Sequence, residues 1–211
     1  MTMIDRLKWT LRKAWRLIYK NYGYKHPSSK VSFDVVIFKP QNLYLYEHTG
    51  IGMGAVIMNW RAKFVMKRYS GAAFGLKVVT GNHMRVIGKM YKQITDVEKN
   101  SLDTNNEYDK DVVVEEDVWI GSNVTLLGGS HVGRGCNIGS GSVVRGNIPP
   151  YAVVFGNPAK VVGFTFTPKE IVEHEKQLYP EEERIPLETL EKNYQKYFLK
   201  RVKEIRVFTR I

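Results

Sequence analysis

At 211 residues, with 43% apolar and 25% charged side chains, the chain has the composition of one globular domain plus appendages. No stretch approaches the ~20 consecutive apolar residues of a membrane span, and the N-terminal Lys and Arg are scattered without the apolar core of a secretion signal. A lone cysteine, Cys136, excludes an internal disulfide, so a buried packing role and a cytoplasmic location are expected.

The net charge of +11 is uneven: residues 1–30 hold eight Lys or Arg against Asp5, which leaves +4 for the rest. Within that segment Leu7, Leu11, Ala14, Trp15, Ile18 and Tyr22 recur at helical spacing, predicting a basic amphipathic helix over 1–30. Such a helix suits the capping of an open end of the fold. A basic face beside Trp9 and Trp15 also suits contact with an anionic membrane surface. No nucleic-acid recognition motif accompanies the charge, so nucleic acid is not an expected partner.

From residue 31 the pattern changes. Leu45, Ile51 and Ile57 lie six apart among Gly50, Gly52 and Gly54. The run Asn59–Gly75 follows, with Lys and Arg read as a solvated face or as contacts for an acidic acceptor. Val78 then heads VVTGNH, a further rung. Residues 86–110 carry mixed charge without the six-residue spacing, and loops of this length are functional or disordered.

The clearest signal comes next: Val114, Ile120, Leu126, Val132, Ile138 and Val144, each six apart. A helix would repeat its apolar positions at three and four, and a half-buried strand at two. Three of the residues after these anchors are glycine (Gly121, Gly133, Gly139), read as turn residues free to take positive φ. Four residues after the anchors stand Val118, Val124, Ser130, Cys136, Ser142 and Ile148, small or aliphatic corner fillers. The pattern predicts a mainly β fold, a hexapeptide solenoid of three flat faces over residues 31–162. Its ends need caps. Beyond 162, Ile171, Val172, Glu175 and Leu178 predict a short helix ending at Pro180. Leu190, Tyr194, Tyr197, Phe198, Arg201 and Ile205 predict a longer one, so 163–211 reads as a helical extension, a cap or trimer-stabilising arm.

The stretch DVWIGSNVTLLGGSHVGRGCNIGSGSVVRGNIPPYAVVFGNPAKVV, Asp117 to Val162, closely resembles the hexapeptide-repeat acetyltransferases, including the galactoside, maltose and sugar O-acetyltransferases. GNPAK at Gly156–Lys160 is its most specific piece, and VVTGNH resembles the segment with that family's catalytic histidine. The resemblance covers about residues 43–162. It implies a left-handed parallel β-helix, a homotrimer with sites between subunits, and acetyl-CoA as co-substrate without a metal. It also implies a small acceptor, a sugar first, in polysaccharide biosynthesis.

Under that resemblance His83 is the catalytic residue. Its imidazole can take the acceptor's proton near neutral pH and pass it to the departing thiolate. A backbone N–H from a turn would hold the oxyanion. Ser122 and Ser140 match positions along the pantetheine, Pro158 meets the adenine, and Lys160 meets the nucleotide phosphates. Family members usually read Thr-Lys where this chain has Arg145-Gly146, so Arg145 brings the positive charge one residue earlier. The segment 86–110, following His83, is expected to fold over a neighbouring subunit's groove and help choose the acceptor. Two other classes share the repeat. A γ-type carbonic anhydrase needs three metal-binding histidines, but only His83 and His131 lie in rungs. A non-catalytic assembly or binding subunit would not need both VVTGNH and GNPAK.

Overall fold

The computed structural model describes residues 21–208. Eighteen short strands build it, and each of the first fourteen hydrogen-bonds to the strand three places later. The first coil is β1 (Tyr24–Lys25), β2 (Lys30–Val31) and β3 (Val36–Ile37), and the second is β4 (Leu43–Leu45), β5 (Gly50–Ile51) and β6 (Val56–Met58). The third is β7 (Phe64–Met66), β8 (Gly71–Ala72) and β9 (Lys77–Val79). After an excursion come β10 (Val112–Val114), β11 (Trp119–Ile120) and β12 (Thr125–Leu127), then β13 (His131–Val132), β14 (Asn137–Ile138) and β15 (Val143–Val144). A partial sixth coil, β16 (Asn147–Ile148) and β17 (Ala152–Phe155), is closed by the antiparallel β18 (Lys160–Phe164). The chain thus visits three parallel sheets in turn and winds around a three-sided prism.

Strands of two or three residues have no stability of their own, so stacking of inward side chains must supply it. The registers show how. One column runs Leu45, Met66, Val114, Val132, Ile148, and a second runs Val31, Ile51, Ala72, Ile120, Ile138, Val154. The third runs Ile37, Ile57, Val78, Leu126, Val144. Nearly all are fully buried. Each such side chain contributes about 1.5–3 kcal/mol over its exposed state.

Several expectations are corrected. Met66 and Ala72, neither of them Val, Ile or Leu, fill the anchor positions of the third coil, and Met66 follows Ile57 by nine positions instead of six. Ile148 is an anchor, paired with Val132 in β16, not a corner filler. The first coil starts at Tyr24, ahead of the expected boundary at 31. The expected N-terminal helix lies, up to residue 20, outside the described residues.

The glycines after the anchors do not take positive φ. A Cβ on Gly121 would lie 2.7 Å from the Ser140 amide nitrogen, so Gly121 lets the next coil approach. Positive φ falls instead three residues after the anchors, at His48, Tyr69, Asp117, Asn123 and Tyr151 as well as at glycines such as Gly141. The small corner residues are partly hydroxylic because corner carbonyls need donors. Ser130 Oγ donates to Leu127 O (2.6 Å), and Ser142 Oγ donates to Gly139 O (2.6 Å) while accepting from the Gly156 amide. Cys136 is buried with its thiol against Pro149 O, and burial pushes that thiol up to about 12, far from a reactive thiolate.

Four helices complete the described chain: α1 (Asp96–Leu102) in the excursion, then α2 (Pro168–Leu178), α3 (Leu187–Tyr197) and α4 (Val202–Phe208). Thr167 and Glu170 form a capping box at the start of α2. The expected long second helix is interrupted at Phe198, where a short 3-10 turn separates α3 from α4. The arm is latched to the prism by Glu175, buried on α2. Its carboxylate accepts from Tyr151 OH (3.0 Å), Arg134 Nη1 (3.2 Å) and the Ile185 amide (2.6 Å). Arg134 also lies over the Tyr179 ring at 3.8 Å and pairs with Glu116. The basic run 59–75 is tied within the chain. Arg61 meets Asp96, Lys67 meets Glu115, and Arg68 meets Glu183. None of the described helices is long and apolar enough to cross a membrane.

Candidate active site

The site residues expected from the sequence flank the five-stranded sheet of β3, β6, β9, β12 and β15, with Lys160 at the start of β18 in the seven-stranded sheet. At the corner where the chain enters this face, Ser122 and Ser140 sit one coil apart. The Ser122 amide donates to Ser140 Oγ (3.1 Å), and the Gly141 amide donates to Ser122 O (2.8 Å). Both serines follow a glycine anchor-neighbour, so the corner is low and carries small side chains only. The GNPA segment extends the same face beyond β15. The Val143 amide donates to Gly156 O (3.0 Å) and the Ala159 amide to Val143 O (2.9 Å), which leaves Pro158 exposed at the edge.

At the opposite corner the regular coil is broken. The chain leaves after Thr80 and returns at Lys110 as a short antiparallel stem. Lys110 N donates to Thr80 O (2.9 Å), Asn82 N donates to Tyr108 O (2.8 Å), and Gly81 bridges Asp109. Between this stem and the corners of the two following coils lies a groove of about 400 Å³, lined by Thr80, Gly81, Asn82, Leu127, Gly129 and Arg145 among others. Arg145 therefore comes beside the VVTGN segment, 62 positions away in sequence when counted from His83.

His83 stands at the rim of the stem with an exposed ring. Its amide donates to Asn82 Oδ1 (2.8 Å), and its imidazole meets the Tyr91 ring edge-on at 5.5 Å. Tyr91 in turn lies under Arg85 and Lys92. Lys160 is exposed at the start of β18 but already engaged: its Nζ donates to Glu204 Oε1 on α4 (3.1 Å). Hydrogen bonds from Arg201 and then Lys160 hold that carboxylate at about 2. Lys77, in register with Thr125 on the outer side of this face, is an exposed cation that the sequence reading passed over. Its position on an outward column of β9 was the available signal.

The structure thus puts Ser122, Ser140, Pro158 and Lys160 along one side of the face and Arg145 with the His83 stem along the other. His131 lies on a different face, where its Nε2 meets Glu115 Oε1 at 2.8 Å. Burial pushes Glu115 up, but hydrogen bonds from Lys67 and His131 outweigh it, and the net direction is down. Among the described residues no three His, Cys, Asp or Glu side chains are grouped to hold a metal ion.

The bacterial transferase hexapeptide model, of six repeats, matches residues 111–146. The galactoside O-acetyltransferase of Lactococcus lactis subsp. lactis is 30% identical over 143 residues, covering 68% of this chain and 55% of that protein. A putative lipopolysaccharide biosynthesis O-acetyl transferase of Escherichia coli K12, WbbJ, is 49% identical over 51 residues, 24% of this chain and 26% of that one. Three other curated relatives are matched over only 17 to 29% of their own length, so the chain spans well under two thirds of the relatives it matches. Among solved structures, a hexapeptide-repeat containing acetyltransferase of Vibrio cholerae O1 biovar eltor, complexed with acetyl coenzyme A, superposes with a TM-score of 0.56. That likeness, at 20% identity, covers 79% of this chain and 80% of that chain and concerns the fold. By its repeat, its three parallel sheets and these relatives, the chain is similar to the hexapeptide-repeat acetyltransferases.

Proposed function

We propose that this chain is an acyltransferase that moves an acetyl group from acetyl-CoA to a hydroxyl or amine of a sugar or related small acceptor. The prism is read as a left-handed β-helix, the handedness of the acetyltransferases it resembles. Acetyl-CoA supplies a carbonyl activated by a thiol leaving group. His83 takes the proton from the acceptor O–H or N–H as the new C–O or C–N bond forms, and returns it to the thiolate as the C–S bond breaks. Products are the acetylated acceptor and the free thiol, so the imidazole ends each turnover neutral. A backbone N–H from a corner turn holds the oxyanion. Ser122 and Ser140 line the pantetheine path, Pro158 meets the adenine, and Arg145 and Lys160 meet phosphates as charges.

The observation that carries this reading is the placement, at the two edges of one sheet, of the small serine corner with the GNPAK edge on one side and the cation beside the His83 stem on the other. One consequence concerns Lys160. Its partner Glu204 must yield for it to meet a phosphate, so the terminal helix α4 and the nucleotide compete for one ammonium. The two sides of the face are separated by the width of a sheet. A site shared between copies of a homotrimer joins the serine corner of one copy to the His83 stem of the next. The segment 86–110 then folds over that shared groove and helps choose the acceptor. A cell-surface glycan precursor is the favoured acceptor class, and residues 1–30 would meet the membrane beside it from the cytoplasm. The name of the E. coli relative, with its lipopolysaccharide biosynthesis, supports that choice.

Thiol release from acetyl-CoA tests the proposal, with free sugars, nucleotide sugars, serine and chloramphenicol as acceptors. Acceptor-dependent release by a trimeric species is expected. Release independent of every acceptor, or none together with undetectable binding of coenzyme A, would reject it in favour of a binding subunit.

A further inference from the structure

The imidazole of a general base must be aimed as well as placed, and the stem at His83 contains a device for that. Lys99, on α1, projects its ammonium between the two strands of the stem. Nζ donates to the carbonyl oxygen of Asn82 (2.8 Å) and to Asp109 Oδ2 (2.6 Å), and it faces the Tyr108 ring at 5.9 Å. The side chains of Lys99 and Asp109 are only 12% and 11% exposed. A lysine is rarely withdrawn from water to this degree without a partner, and here the ammonium bridges the outgoing strand to the returning one.

The carbonyl it holds belongs to the peptide bond between Asn82 and His83. Fixing that oxygen fixes the peptide plane, and with it the position of the His83 Cα from which the side chain leaves the backbone. The same peptide's N–H is held from the other side by Asn82 Oδ1 (2.8 Å). A charged donor on the carbonyl polarises the peptide and strengthens that N–H bond, so the two contacts reinforce each other. The helix that carries Lys99 is itself tied to the prism. Arg61, in the lengthened corner before β7, reaches Asp96 Oδ1 (2.8 Å) and Asn100 Oδ1 (2.7 Å) on α1, with Asp109 Oδ2 at 3.7 Å. A continuous line of charge-assisted contacts therefore runs from the coil through α1 to the backbone of His83.

We propose that Lys99 is a positioning residue for His83, with Asp109 as its counter-ion and Arg61 as the anchor of its helix. This inference rests on the reading of His83 as the general base. It adds that the 86–110 segment, besides covering a groove, aims the base.

Lys99→Met removes the clamp but leaves the Asp109 carboxylate poorly compensated. The double variant Lys99→Met with Asp109→Asn removes clamp and charge together, and keeps the test intact if the single variant fails to fold. Expected results are a kcat lower by about 10- to 100-fold, with KM for acetyl-CoA within about twofold of wild type. Lys99→Arg, which can still donate to both oxygens, should recover most of the rate. Hydrogen–deuterium exchange of the peptide spanning 79–86 should speed up in the Met variants and not in Lys99→Arg. A double variant with wild-type kcat and unchanged exchange would overturn the positioning role. So would a parallel loss of kcat, KM and melting temperature, which marks a purely structural residue. A wild-type protein that turns over no acceptor would instead overturn the role of His83, and the clamp's catalytic purpose with it.

Discussion

Coils four and five and the excursion of residues 81–109 meet at one corner, yet they are held by opposite kinds of force. In the coils each anchor position is an aliphatic side chain with almost no exposed area, stacked on its equivalents above and below. In the excursion the described interior is nearly absent. Ile87, Met90, Val97 and Leu102 are exposed, and the contacts that hold it are charged: Arg61 to Asp96 ties it to the prism, while Lys99 to Asp109 and Lys89 to Glu98 brace it internally. The contrast separates two tasks. Burial makes the coil a rigid ruler, while directional contacts fix one peptide plane without a core of their own.

If that division is right, changes in the excursion should alter turnover at nearly constant stability, and changes in the coils should do the reverse. The largest effect belongs to His83→Ala, for which thiol release should fall by about 10²- to 10⁴-fold with an unshifted melting temperature. A shifted melting temperature would show that the excursion contributes to the core after all. Leu126→Ala, deep in the third column between Val78 and Val144, should cost about 3 kcal/mol in urea unfolding with the rate per folded molecule unchanged.

Gly121→Ala falls between the two. Its Cβ would press on the Ser140 amide nitrogen at 2.7 Å, and overpacking of this kind costs about 1–3 kcal/mol. Because Ser140 sits at the serine corner, KM for acetyl-CoA should rise as well; a stability loss with KM unmoved would take the pantetheine off that corner. Smallest is Lys67→Met, which removes one partner of Glu115 on the outer face of the coil and should cost under about 1 kcal/mol at pH 7. Glu115 is held below the ordinary carboxylate value, so its contribution is present above the unfolded value near 4.3 and is lost as pH falls through the lowered one. The difference between variant and wild type should therefore vanish in acid.

What the sequence by itself determined is the coil. A six-residue period survives in the letters because every turn of the prism repeats the same local demand for one inward aliphatic and one small corner residue. The motif VVTGNH and the GNPAK edge were legible for the same reason, being local strings. The third coil was hidden by its Met and Ala anchors and by a corner three residues longer than the rest. The tertiary structure decided that Gly121 serves a close backbone approach, with the left-handed turns falling two residues later. It also brought Arg145 to the His83 stem, engaged Lys160 with Glu204, and set Lys99 against the Asn82 carbonyl. The two hydrogen-bonded contacts join residues 17 and 44 positions apart, and Arg145 shares a groove with Asn82, 63 positions before it. Nothing periodic announces them, because an ion pair or a clamp depends on where two segments meet in space.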